Sequence, residues 1–282
     1  SMPKTSNHRG CPPHNMSGES CDLRLSRLRA LALIQCLIIA QYVLAVSGVQ
    51  ENSELGFVRI QNGKFVESRT QAPVGARGAN VYWLRYSLLG NEQERERVEV
   101  TLDAMQSLGL DVVRTWAFMD GDEESFDGRA MQPREGVFNE KAFVGLDQLL
   151  VMCAQRRIRV ILTLTNFWPD YGGIQRYVEW ARAAGDLSVY RREDFFSSPR
   201  CSQSFERFVR ALVTRVNSVS GIAYKDDPVI FSYQLINEPR LAGSTTSDTF
   251  DEWATRAAAF VKQLDDSRHL VSCGTEGFFM RS

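Results

Sequence analysis

From Val74 onward the apolar positions of the chain change period in a regular rhythm. GANVYWLRY (78–86) reads as a strand, and the polar stretch 91–109 carries Val98, Leu102, Met105 and Leu108 at helical spacing until Gly109 ends it. LDVVRTWAF (110–118) reads as a second strand, and FNEKAFVGLDQLLVMCAQRR (138–157) as a second helix with one apolar stripe. RVILTLTNF (159–167) shows no alternation, which predicts a strand buried on both faces. A long excursion follows. Residues 201–219 are then helical, with Phe205, Phe208, Leu212 and Val216 on one side. Residues 228–237 form a fourth strand, 249–266 a fourth helix and 269–279 a fifth strand.

Strands alternating with helices predict parallel βαβ units, a rhythm common to doubly wound sheets and (β/α)8 barrels. No G-x-G-x-x-G or phosphate loop follows a strand, which weighs against a nucleotide-binding sheet. Arg114-Thr115-Trp116, Asn166-Phe167-Trp168, Asn237-Glu238 and Glu276 all fall at strand C-terminal ends, where a barrel gathers its active site. The expected fold class is therefore α/β, a (β/α)8 TIM barrel of which about the first five βα units are present. Composition fits one large α/β domain: 282 residues, 44% hydrophobic and 24% charged. A net charge of −1 with no basic patch argues against nucleic acid as a partner.

The first 29 residues lack apolar periodicity and read as a disordered tail. ALALIQCLIIAQYVLAV (30–46), preceded by Arg24, Arg27 and Arg29 and followed by small residues, makes 30–48 a signal peptide or a signal anchor. It is a little short of the ~20 residues of a spanning helix, and Gln35 and Gln41 interrupt it. A buried core helix is the third reading, opposed by the arginine flank. Either membrane reading places residues 49–282 outside the cytosol, with contact to a membrane only through a retained anchor. Beyond the tail and signal, Cys153, Cys201 and Cys273 are odd in number without C-x-x-C spacing, so free thiols are expected and no metal site is read. The N-x-[ST] sequon Asn15-Met16-Ser17 lies in the tail.

The stretch VIFSYQLINEPR (229–240) carries the candidate chemistry. Pro239 biases the residue before it away from helical angles, so Glu238 is expected to continue the strand and project from the rim. A carboxyl partly desolvated there by aromatic neighbours would suit a general acid that protonates a glycosidic oxygen. Asn237 offers a donor and an acceptor for a sugar hydroxyl. Asn-Glu-Pro alone also fits a solvated turn, but Trp83, Trp116, Trp168, Phe118 and Tyr171 cluster near three strand ends. Such rings suit the flat C–H faces of sugars. Trp180 and Trp253, in helical stretches, read as core. Arg114 is a charge within an apolar run, and a buried cation implies an acidic neighbour, catalytic or structural.

NVYWLRY, LDVVRTWAF, GVFNEKAFVGLD, ILTLTNFWPDYGG, YKDDPVIFSYQLINEPR and GTEGFF, in that order, closely resemble the plant and fungal endo-β-1,4-mannanases of glycoside hydrolase family 5. The resemblance runs from about Gly56 to the end of the chain. It implies a partial (β/α)8 catalytic domain over 49–282 and retaining hydrolysis of internal β-1,4-mannosidic bonds. The implied substrates are mannan, galactomannan and glucomannan, without metal or organic cofactor, by a secreted enzyme of the cell wall. By motif, Glu238 matches the acid/base, Asn237 the residue holding the sugar beside the cleaved bond, and Arg114 the arginine supporting the nucleophile. Trp83 matches a substrate-contacting tryptophan, and Trp116 and Trp168 match cleft residues.

Two expectations run against the pattern. A closed barrel takes eight strands, and this chain shows five, so an incomplete mannanase is expected. The resemblance places the nucleophilic glutamate on strand seven, for which the chain has no counterpart. A retaining mechanism needs a second carboxyl about 5–5.5 Å from the first. Glu276, on the neighbouring strand, is the substitute within reach, although its block is not the nucleophile of the resembling enzymes. Asp170 and the acidic residues 120–124 read as solvated loops. A family 5 β-glucanase and a non-catalytic secreted mannan-binding fragment remain alternatives.

Overall fold

The computed structural model describes residues 55–122, 124, 126–240 and 246–276. The tail of 1–29 and the signal segment of 30–48 lie outside the described residues. Five strands pair in parallel and in chain order: β3 (Gly78–Asn80), β4 (Val112–Trp116), β5 (Arg159–Thr163), β6 (Ile230–Asn237) and β7 (Leu270–Gly274). That order never doubles back, as the order of a doubly wound sheet does. Between the strands lie α2 (Glu92–Ser107), α3 (Glu140–Gln155), α4 (Gly173–Ala183), α5 (Pro199–Val213) and α6 (Ser247–Leu264). The barrel rhythm is therefore present, among the described residues, as four consecutive βα units followed by a fifth strand.

β5 is buried at four of five positions, as its lack of alternation predicts, and β6 is buried at every position, Ser232 and Gln234 included. β7 is half-buried throughout, and β3 and β7 each pair on one side only among the described residues. Outside the sheet, helices interlock through aromatic rings. Trp253 of α6 meets Phe195, Phe196, Phe205 and Phe250 at centroid distances of 5.2–5.9 Å, as expected of a core tryptophan. Trp180 packs half-buried against the same core.

Three predicted elements differ from those observed. Residues 78–86 are not one strand, because β3 ends at Asn80 and α1 spans Leu84–Leu88. Leu84 and Leu88 are both buried one turn apart, and that helical spacing prevails over the aromatic content of the segment. Trp83 is consequently the residue before a helix and not the end of a strand. α5 stops at Val213, so Val216 leaves the apolar stripe and is exposed. The excursion after β5 contains α4 and a short 3-10 turn, Arg192–Phe196.

Ahead of the sheet, β1 (Val58–Gln61) and β2 (Lys64–Glu67) form an antiparallel hairpin. Asn62 and Gly63 take φ of +50° and +72°, both in the left-handed region that a tight two-residue hairpin turn requires. The hairpin lies under the N-terminal ends of the strands. Val58 and Phe65 pack with Val112 and Phe231, and the Phe65 and Phe231 rings are 5.1 Å apart. The opposite, C-terminal ends of the strands are thereby left to carry chemistry.

Candidate active site

Register sets which side chains meet at the C-terminal rim. Asn80 of β3 stands opposite Arg114 of β4, and Trp116, Thr163 and Gln234 share the next layer. Side chains alternate along a strand, so residues paired in parallel point to the same face. Arg114 reaches upward from its layer into a set of amides. Its Nε donates to Gln234 Oε1 (2.8 Å), one terminal nitrogen to Asn80 Oδ1 (2.9 Å) and the other to Asn237 Oδ1 (2.6 Å). The acidic partner expected for this cation is therefore replaced by three neutral acceptors. Burial draws the guanidinium below its ordinary pKa range, and the nearby Glu238 charge pulls the other way.

Asn237 is buried and its orientation is forced. Arg114 can only donate, so Oδ1 faces it, and Nδ2 donates to Asn166 Oδ1 at 2.9 Å. The acceptor that the sequence offered to a sugar is thus already occupied, leaving one N–H for a ligand. Asn166 in turn donates to the Asp170 carbonyl at 3.3 Å, and its own carbonyl accepts from Ile174 N–H. The loop between them closes on Tyr171, Gly172 and Gly173, all at positive φ. A Cβ at Gly172 would lie 1.9 Å from the Asp120 carbonyl oxygen, and one at Gly173 2.4 Å from that of Asn166. Only glycine fits at positions 172 and 173, and the turn brings Trp168 over the end of β6.

Trp168 Nε1 donates to Glu238 Oε2 at 2.9 Å. Glu238 is half-buried, with its N–H bonded to Gly274 of β7. It does not continue the strand as expected, because its φ is +46°. The proline that follows excludes right-handed helical angles, and the β7 hydrogen bond selects the left-handed region instead of the extended one. Such a conformation in a non-glycine residue costs about 1–3 kcal/mol and persists where its surroundings over-determine it.

Glu276 does not stand free beside Glu238. Both its oxygens accept from Arg240, at 2.6 and 2.9 Å, and that hydrogen bond holds its pKa below the usual carboxylate range. Arg240 also lies over the Trp168 ring at 4.9 Å. Trp116 is half-buried against Tyr82, Phe118 and Tyr171, at 4.9–5.1 Å between ring centroids. Its indole N–H is buried without an acceptor among the described residues. Phe118 is core, with no exposed surface, while Tyr82 is 42% exposed and gives this aromatic group its open side. The structure brings Glu238, Asn237, Arg114 and Trp168 into one network. Trp83 stands apart from it, its ring under the Arg97 guanidinium of α2 at 4.0 Å.

Asp120, read as a solvated loop residue, is fully buried, and burial drives its carboxyl well above the usual range. Asp170 is exposed as expected. Asn166, placed at a strand end by the sequence, joins the network, and Asn80 and Gln234 complete it although sequence reasoning gave those two no role. The signal available for Gln234 was the one used for Arg114: a single polar side chain inside an apolar strand demands a partner.

Carboxyl, amide, guanidinium and indole are gathered over the C-terminal rim of sequentially paired parallel strands, the end at which a barrel carries its active site. A family model described as GH family 5 beta-mannosidase-like matches residues 55–281, and the chain belongs to that family. The mannan endo-1,4-beta-mannosidase 1 of Oryza sativa subsp. japonica is 36% identical over 254 residues, covering 89% of this chain and 56% of the relative. The mannan endo-1,4-beta-mannosidase 1 of Solanum lycopersicum is 36% identical over 224 residues, covering 79% and 54%. Among solved structures, the glycoside hydrolase family 5 mannosidase from Rhizomucor miehei superimposes with a TM-score of 0.68 at 29% identity, covering 80% of this chain and 57% of that one. The endo-beta-1,4-mannanase from Thermotoga petrophila gives 0.64 at 29%, covering 73% and 43%. The five-stranded sheet is accordingly part of a (β/α)8 barrel fold. The chain spans about half the length of the curated relatives it matches.

Proposed function

We propose that this rim is the acid/base side of a cleft that hydrolyses internal β-1,4-mannosidic bonds. The observation that carries the reading is the Trp168 bond to Glu238 Oε2, set beside Asn237 and Arg114. An indole N–H only donates, so it engages Oε2, and Oε1 would be the oxygen that meets the leaving group. Glu238 would protonate the glycosidic oxygen of the leaving sugar through that face. Asn237 would give its remaining N–H to a hydroxyl of the sugar next to the cleaved bond, and Trp116 with Tyr82 would offer apolar ring surface. Mannan, galactomannan and glucomannan are the proposed substrates, supported by the relatives' names for mannan in general. Action outside the cell, in the wall, is supported by the arginine-flanked apolar run at 30–46.

A second reading has its own observation. Glu276 is committed to Arg240, so it does not provide the second carboxyl of a retaining mechanism. A chain that binds mannan without cleaving it follows if no other carboxyl joins Glu238.

Reducing-sugar release from β-mannan by the whole chain, compared with Glu238→Ala, separates these readings. Activity lowered about 100-fold or more in the variant supports the hydrolase. Binding without cleavage supports the second reading. Preference for a cellulose-type glucan, or neither binding nor cleavage of mannan, overturns the mannan assignment.

A further inference from the structure

We infer that Gln234 is the positioning residue of this site: its side-chain oxygen sets the Arg114 guanidinium, and through it the orientation of Asn237. Oε1 of Gln234 accepts two donors, Arg114 Nε at 2.8 Å and Thr163 Oγ1 at 3.1 Å. Arginine donates only, so this amide oxygen must face it, and the hydroxyl of Thr163 holds the amide from the β5 side. The guanidinium is planar, so fixing Nε also fixes where its two terminal nitrogens point. Those nitrogens meet Asn80 and Asn237.

Two features of the backbone serve this arrangement. Residues three apart on a regular strand point to opposite faces, yet Gln234 and Asn237 both reach Arg114. The β6–β7 pairing is irregular between these two residues, and such an irregularity re-aims a side chain next to an active site. On β7, Gly274 leaves the room the amide occupies. A Cβ there would lie 2.7 Å from Gln234 Oε1 and 2.8 Å from the Ile236 carbonyl oxygen. Gly274 also takes the Glu238 N–H. One glycine thus admits the positioning amide and anchors the backbone of the proposed acid.

The binding part of the test rests on the mannan reading; the spectroscopic part does not. Gln234→Met keeps the volume and removes the acceptor, whereas Gln234→Glu keeps an acceptor. The measurements on the whole chain are the ¹⁵N–¹H signal of Arg114 Nε, thermal melting, and calorimetric binding of mannohexaose. In Gln234→Met the Arg114 Nε–H signal should exchange fast and broaden, and mannohexaose binding should weaken about tenfold. Gln234→Glu should restore the signal and bring binding back to within about twofold. A packing role predicts the reverse, with Met behaving as wild type, and that result overturns the inference. An unchanged Arg114 signal in Gln234→Met overturns it as well. If the wild-type chain does not bind mannohexaose while the signal responds as expected, the mannan reading falls and the positioning role stands. Should either variant unfold, Gly274→Ala provides the second measurement, since its Cβ displaces the amide directly. It should broaden the same Arg114 signal, and a sharp, slowly exchanging signal there overturns the inference.

Discussion

At the scale of single residues, this site is governed by donors and acceptors that have no alternative partner. Arg114 cannot accept and Trp168 cannot accept, so Asn237, Gln234 and Glu238 are oriented without ambiguity. The same determinism explains Gly172. Its φ of +92° and the Asp120 carbonyl 1.9 Å from where a Cβ would stand exclude any side chain. Gly172→Ala is expected to destabilise the fold by at least about 2 kcal/mol, read from urea unfolding, because left-handed strain and a backbone clash add. It should also shift the Trp168 fluorescence, since this turn carries the tryptophan over Glu238. A variant as stable as wild type would show that the loop relaxes at no cost.

At the scale of elements, local signals set boundaries where they are strong. α2 begins at a capping box: Asn91 Oδ1 accepts from Glu94 N–H and the Glu94 carboxylate accepts from Asn91 N–H, both at 2.9 Å. Asn91→Ala should cost about 1 kcal/mol of stability in chemical denaturation, and Asn91→Ser much less. Helices α2, α3, α5 and α6 were legible from spacing, and β4 to β7 from apolar runs ended by polar residues. The segment 78–86 was misleading because Val81, Tyr82 and Trp83 favour strands while Leu84 and Leu88 make a helical pair. The hairpin was legible in Asn62-Gly63, but it lies ahead of the repeating rhythm and has no helix to mark it. Glu238 was legible as a carboxyl at a strand end. Its left-handed backbone was not, because β7 is about 35 residues away and supplies the bond that selects it.

At the scale of the whole molecule, buried carboxylates couple the fold to pH with opposite signs. Burial disfavours the Asp147 carboxylate, but donors from Arg215, Tyr224 and Ser218 outweigh it and leave its pKa below 3.8. Asp265 is likewise opposed by burial and lowered by His269. A lowered pKa gives stability that is present above the unfolded value and lost as pH falls from there through the folded value. Asp227 is the opposite case: burial raises it to about 6 from 3.8, offset in part by the Val229 N–H. Its ionisation in the fold is a cost, so stability falls as pH rises between about 4 and 6. Asp120, also raised by burial, acts in the same direction. Melting followed from pH 3 to 8 should therefore pass through a maximum near pH 4 and decline from there to about pH 6. Asp227→Asn keeps the acceptor for Val229 and should flatten the decline above that maximum. A melting curve still steep there in the variant would assign the decline to other groups.

The sequence by itself determined the alternation of strands and helices, the burial of β5 and β6, and the chemical types that end the strands. These follow from periodicity and from the cost of leaving polar groups unpaired, which neighbouring residues already express. Only the tertiary structure decided that the strands pair in chain order, since the rhythm of a doubly wound sheet is the same. It alone decided that Arg114 rests on amides and not on a carboxylate, and that Glu276 belongs to Arg240. Partner choice among polar side chains is fixed by distances across strands, and the order of residues along one strand does not contain them.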